Sequence, residues 1–145
     1  MQRDPQMQAL VDGYQRVWDS REPGVMGELW HADGVLHHPA LDQPITGDLV
    51  PHNNDFTKRA IPEFSWKLTR WASAGDTVFL EWECRGRFGG ELLEWRGVDV
   101  IVLRDGKVAD ERVYMDTYPI RRLLDPALPD TALVEASSLV GERAL

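Results

Sequence analysis

The chain has 145 residues, 43% of them hydrophobic, and a formal net charge of −8. That length fits one domain with a substantial core, and acidity spread along the whole chain argues against a nucleic-acid or anionic-lipid partner. A single cysteine, Cys84, excludes an internal disulfide and a cysteine zinc site.

The N-terminal stretch MQRDPQMQAL has no long apolar run, so neither a signal peptide nor a membrane span is expected, and a cytoplasmic protein is the default. Met7, Leu10, Val11, Tyr14, Val17 and Trp18 recur at spacings of three and four, which predicts a helix over Pro5–Ser20 with Asp4 as its cap. A second short helix is expected over Pro23–Trp30, then a strand over Gly34–His38 stopped by Pro39. The loop Ala40–Gly47, with Pro44 and Gly47, is expected to be irregular. A helix over Leu49–Ala60 tolerates Pro51 near its start.

Beyond Pro62 the pattern changes to strands. Phe64–Ala74, Thr77–Phe88, Leu92–Leu103 and Lys107–Asp116 are separated by the turn signals Ala74-Gly75-Asp76, Gly89-Gly90 and Asp105-Gly106. Helices followed by a meander predict an α+β fold, with helices packed on one face of a curved sheet. The expected domain spans residues 1–125. The tail, residues 126–145, could form a small helix over Asp130–Val140 closed by Gly141.

The strand Val98–Leu103 places Val98, Val100 and Val102 on one face and Asp99, Ile101 and Leu103 on the other. Both faces are largely apolar, so one should face the cavity and helices and the other a second copy of the chain; a homodimer through the outer sheet face is expected. A carboxylate inside such a strand must be protonated, paired or used. Asp99 is therefore a candidate site residue, with Arg96 or Arg112 as structural partners in the plainer reading. Glu111 is a further carboxylate that could point inward. Trp18, Trp30, Phe56, Trp66, Trp82 and Met115 are candidates to line a pocket for a small hydrophobic molecule, and otherwise belong to the core. His31, His37, His38 and His52 have no metal-ligand spacing, and no nucleotide-binding or serine-hydrolase motif occurs, so neither a metal nor a cofactor is expected.

The helix-then-meander order, His38-Pro39 with Pro44 and Gly47 after it, the phrase WRGVDVIVLRDGKV and the closing VYMD resemble the nuclear-transport-factor-two-like superfamily, in its SnoaL-like polyketide cyclase and ketosteroid isomerase branch. The resemblance covers about residues 5–125. It implies a cone-shaped, mostly antiparallel curved β-sheet wrapped around the N-terminal helices and enclosing an apolar pocket. Tyr14 and Asp99 match the oxyanion-hole tyrosine and aspartate of ketosteroid isomerase, and His38 stands where that enzyme has its general-base aspartate. Ketosteroid isomerase is an established example of a neutral carboxylic acid acting as donor. Asp116, closing VYMD, matches an acid/base of the cyclases, and otherwise caps the segment before Pro119. Trp82, Cys84 and Val113 stand where limonene epoxide hydrolases carry their arginine and aspartates, so that chemistry is not expected. The implied function is a cofactor-independent isomerase or cyclase acting on a hydrophobic carbonyl compound; the alternative is a non-catalytic ligand-binding or dimeric accessory protein.

Overall fold

The structure, a computed structural model, describes residues 4–125 and residue 127. The helix expected over Asp130–Val140 lies outside the described residues.

The elements run α1 (Pro5–Asp19), a 3-10 helix (Val25–Leu29), β1 (Trp30–His37), β2 (Ile45–Thr46), α2 (Val50–Ala60), β3 (Ser65–Ala74), β4 (Thr77–Phe88), β5 (Glu91–Arg104), β6 (Lys107–Met115) and α3 (Tyr118–Leu124). The α+β class is as the sequence indicates. Six strands form one curved, unclosed sheet in the order β2-β1-β6-β5-β4-β3; β1 and β6 are parallel and every other pair is antiparallel.

Several elements depart from expectation. The Pro23–Trp30 segment is only a 3-10 turn, because Gly24 takes a left-handed conformation at φ 75° and a full α-helix cannot start before Val25. The first strand starts at Trp30 rather than Gly34, since parallel pairing to β6 already begins with Trp30 opposite Val108. The supposedly irregular Ala40–Gly47 loop contains β2, which pairs with Val35 and Leu36. Residues Tyr118–Leu124, for which no element was expected, form α3.

Helix α1 opens as its sequence dictates. Asp4 accepts a hydrogen bond from the Gln6 amide at 2.9 Å, and Pro5 occupies the first turn, where it sacrifices no helical bond. Its apolar stripe, Met7, Leu10, Val11, Tyr14 and Val17, is buried against the sheet. Gln15 fixes its position: the side-chain amide donates to the Trp66 carbonyl at 3.1 Å and accepts from the Leu68 amide at 2.9 Å. Those two bonds also satisfy backbone groups on the edge strand β3, which would otherwise be free to pair. Lys58 of α2 donates to the carbonyls of Val17 (3.0 Å) and Ser20 (2.9 Å), tying α2 to the C-terminal end of α1.

The hairpin joining β5 to β6 turns at Asp105 and Gly106, both with positive φ (52° and 76°), as a tight turn between right-twisted strands requires. Leu103 pairs with Val108 beyond it, but Val102 pairs with Asp110. Ala109 is therefore an extra residue, a β-bulge, and every residue of β6 after it changes face relative to an unbulged ladder.

Candidate functional site: a carboxyl pair in an aromatic cavity

The inner face of the sheet can be read row by row from the register. Leu36 of β1 lies beside Glu111 of β6, which pairs with Ile101 of β5, which pairs with Val78 of β4. In the next row Val113 pairs with Asp99, Asp99 with Leu80, and Leu80 with Trp71. In the row beyond, Met115 pairs with Gly97, Gly97 with Trp82, and Trp82 with Leu68. Glu111 and Asp99 are thus diagonal neighbours on one face, a separation that carboxylate side chains can span.

These rows and the helices enclose a cavity of about 400 Å³. That volume lies within the usual range for small-molecule sites. Its walls are mainly aromatic and aliphatic. Trp18 stacks on Trp66 at 6.0 Å with 16° between the planes, and Trp66 meets Trp82 at 6.5 Å. Tyr14, His38, Asp99, Glu111 and the Cys84 thiol contribute the ionisable groups.

Tyr14, Asp99 and Glu111 meet. The Tyr14 hydroxyl donates to Glu111 Oε2. All three are buried: 1%, 4% and 6% of their surfaces are exposed. Burial, with the adjacent Glu111 carboxylate, holds the Asp99 carboxyl well above the ordinary range, so Asp99 is a neutral acid that donates toward Glu111. Burial also raises Glu111, to about 7, while the hydrogen bonds from Tyr14 and Asp99 oppose that rise. Burial first, then the negative charge of Glu111, push the Tyr14 phenol up, so it stays a donor. The Trp82 indole N–H lies near enough to Asp99 to favour its anion slightly, yet makes no hydrogen bond of good geometry. One Asp99 oxygen, Oδ1, is buried without a hydrogen-bond partner.

The expected arginine partners of Asp99 are elsewhere. Arg96 pairs with Glu83 at 3.3 Å and Arg112 with Asp110 at 3.6 Å, well exposed on the other side of the sheet. The bulge at Ala109 explains the exchange, because an unbulged ladder would put Arg112 opposite Asp99.

His38 lines the same cavity, just past the end of β1. Burial lowers its pKa, so the ring is neutral. Its Nδ1 accepts from the Ala40 amide at 3.0 Å, which fixes the neutral tautomer with the proton on Nε2. Asp116 does not line the cavity. It is exposed and its Oδ1 accepts from the Tyr118 amide at 2.9 Å, the capping alternative at the start of α3. Trp18, Trp30, Phe56, Trp66, Trp82 and Met115 all line the cavity, though Phe56 is 59% exposed and contributes only from the rim. Trp82, Cys84 and Val113 line it too, so apolar groups occupy the positions matched to an epoxide-hydrolase triad. Glu111, which the sequence offers without a role, is the residue that joins Tyr14 to Asp99. Among the described residues, no group of three or more His, Cys, Asp or Glu side chains could hold a metal ion, and no helix is long and apolar enough to cross a membrane.

Solved structures with the same fold include IdmH of Streptomyces antibioticus, a proposed polyketide cyclase (20% identity, 82% of this chain and 98% of that one, TM-score 0.70). A protein of ketosteroid isomerase-like fold from Catenulispora acidiphila is similar at 20% identity over 83% of this chain and 93% of that one, with a TM-score of 0.70. An LEH-like epoxide hydrolase of M. tuberculosis is similar at 16% identity over 84% and 97%, with a TM-score of 0.65. A search of curated proteins found no match. The sequence profile of the SnoaL-like domain matches residues 11–111. With that span matched and the cone-like sheet built around α1, the chain belongs to the SnoaL-like domain family.

Proposed function

We propose that this protein is an acid–base enzyme of the isomerase or cyclase type, acting without a cofactor on a small, flat, hydrophobic carbonyl compound. The observation that carries this reading is the Tyr14–Glu111–Asp99 cluster buried in an aromatic cavity. A binding protein needs apolar walls; it has no use for two adjoining buried carboxyls, which cost stability.

Glu111 is the working acid/base. With a pKa of about 7 it is ionised in a large fraction of molecules at neutral pH and can be protonated and deprotonated during turnover. It removes a proton from the carbon beside the substrate carbonyl. The electron pair moves into the carbonyl, and the neutral Asp99 turns its O–H toward the new enolate oxygen. In an isomerisation, Glu111 returns the proton to a different carbon. In a cyclisation, the enolate carbon forms a bond to a second carbonyl carbon of the same molecule and Glu111 protonates the resulting alkoxide. Tyr14 stays bonded to Glu111 and sets its basicity. His38, neutral with its proton on Nε2, supplies a hydrogen-bond donor rather than a base, and Asp116 takes no part.

The test is exchange of protons beside the carbonyl of 2-tetralone in heavy water, followed by proton NMR. The wild type accelerates this exchange and Glu111→Gln does not. Equal acceleration by both proteins removes Glu111 from the chemistry.

We further propose that the protein works in the cytoplasm as a homodimer paired through the outer sheet face. Phe79 and Tyr114 are 40% and 60% exposed there, beside the half-buried Val98, Val100 and Val102. Burial of such a patch by a second copy would remove it from water. A monomer mass in sedimentation at micromolar concentration contradicts the pairing.

A further inference from the structure

Helix α2 turns Val50, Asn54 and Thr57 toward the cavity, a spacing of four and three residues that forms one helical face. Asn54 is the anomaly on that face. Only 3% of its surface is exposed, and neither Nδ2 nor Oδ1 has a hydrogen-bond partner in the protein. Asparagine is a mediocre helix former, and a buried unpaired amide is a persistent cost to the fold. Leucine has nearly the same size and would avoid both. The Lys58 bonds to the end of α1 fix α2 in place, so the carboxamide is held where it stands.

We propose that Asn54 is a specificity residue that binds a hydroxyl group of the substrate, so that the substrate is a hydroxylated apolar ketone. The inference rests on the carbonyl reading of the same cavity and extends it. The chemistry of the group follows from both amide atoms being unpaired. A carboxamide offers N–H donors and one carbonyl acceptor. A ligand ketone would satisfy only the donors. A hydroxyl accepts from Nδ2 and donates to Oδ1, and so satisfies both. Asn54 projects from the helix wall, whereas Asp99 and Glu111 rise from the sheet, so the hydroxyl binds on the helix side of the ligand while the carbonyl meets the carboxyl pair. Trp18, Trp66 and Trp82 supply flat apolar walls of the same cavity.

The experiment compares 2-tetralone with 6-hydroxy-2-tetralone, which differ by one hydroxyl at the end of the ring system remote from the ketone. Dissociation constants are measured by calorimetry for the wild type and Asn54→Leu, together with the melting temperature of each protein without ligand. The wild type is expected to prefer the hydroxylated ketone by about tenfold or more, and Asn54→Leu to lose that preference while holding 2-tetralone as before. Without ligand, Asn54→Leu is expected to melt at the same temperature or higher, because it removes an unpaired amide. An unchanged preference, or a melting temperature several degrees lower, overturns the proposal: the first shows no contact, the second a structural bond. Failure of both ketones to bind the wild type overturns the substrate class. The two readings separate cleanly. Loss of the hydroxyl preference in Asn54→Leu with 2-tetralone exchange intact in Glu111→Gln sinks the catalytic role of Glu111 alone. An unchanged preference with exchange abolished in Glu111→Gln sinks only the role of Asn54.

Discussion

Glu111 shares the cavity face with Asp99 because Ala109 bulges out of the β5–β6 ladder two residues earlier. Were Ala109 paired in a regular ladder, Arg112 would stand opposite Asp99, Glu111 would face outward, and the cavity would hold a neutralised ion pair. With Ala109 bulged, two buried carboxyls adjoin, only one of them readily ionises, and the other becomes a neutral donor. The bulge thus decides the chemistry of the site without contributing a functional side chain.

The first prediction concerns rate and pH. Glu111→Gln is expected to reduce catalysed exchange by about two to four orders of magnitude, the usual worth of a positioned acid/base. In the wild type the rate rises with pH through about 7, as Glu111 ionises. The Tyr14 hydrogen bond favours the Glu111 anion, so Tyr14→Phe moves that rise to higher pH. A Tyr14→Phe profile superimposable on that of the wild type would detach Tyr14 from Glu111.

The second concerns stability. Glu111 titrates near 7 in the folded chain, against an ordinary value of 4.5. Folding therefore favours its neutral form: the contribution is complete below about 4.5 and is lost as pH rises through 7. Asp99 is shifted in the same direction and adds to the loss at higher pH. The wild type is expected to melt at lower temperature at about pH 8 than at about pH 5, and Glu111→Gln to show a shallower dependence. Parallel curves for the two proteins in differential scanning calorimetry would mean that Glu111 is not raised.

The third concerns the space beside Asp99. A Cβ on Gly97 would lie 2.5 Å from Trp82 Cζ2 and 2.7 Å from the Tyr114 carbonyl. The carbonyl cannot yield, so Gly97→Ala forces the Trp82 ring toward the cavity. The expected cost is about 1–3 kcal/mol of stability, as for overpacking generally, with weaker binding of 2-tetralone. Unaltered melting and affinity would show that the ring has room to move.

Much of the architecture is legible in the sequence, because its signals are local. The helical spacing of Met7 to Trp18 gives α1, and the three Gly-containing turns divide the meander at the observed places. The two-faced Val98–Leu103 strand gives the correct orientation, with Asp99, Ile101 and Leu103 buried inside. The site is legible only in part. Tyr14, His38 and Asp99 do share one cavity, but the partner of Asp99 depends on register, and nothing in the residues Val108-Ala109-Asp110 distinguishes a bulge from a regular strand. An arginine across from an aspartate reads as a plausible pair, which hides the role of Glu111. The tautomer of His38 depends on the Ala40 amide folding back on it, and the capping by Asp116 depends on α3; neither has a periodic signature. Asn54 carries no signal at all, since an asparagine in a polar helix looks like solvent-facing surface.

The fourth prediction tests the register directly. Deleting Ala109 removes the extra residue and leaves Asp110 opposite Val102, Glu111 opposite Ile101 and Val113 opposite Asp99, so the carboxyl pair stays on the cavity face of a now regular ladder. The variant is expected to fold and to keep a proton exchange that Glu111→Gln abolishes. A deletion variant that folds but whose exchange no longer depends on Glu111 would show that this pairing is not what places Glu111 in the cavity.

The raised pKa values of the buried carboxyl pair can be measured without a substrate. Carboxyl-carbon NMR of the uniformly labelled protein follows every Asp and Glu through a pH titration. One side-chain carboxyl is expected to titrate near 7 and to disappear in Glu111→Gln, with the Asp99 carboxyl still protonated at that pH. Titration of every carboxyl in the protein below about pH 5 would mean that the pair is not held apart by burial, and the proposed proton transfer would have no base poised to perform it.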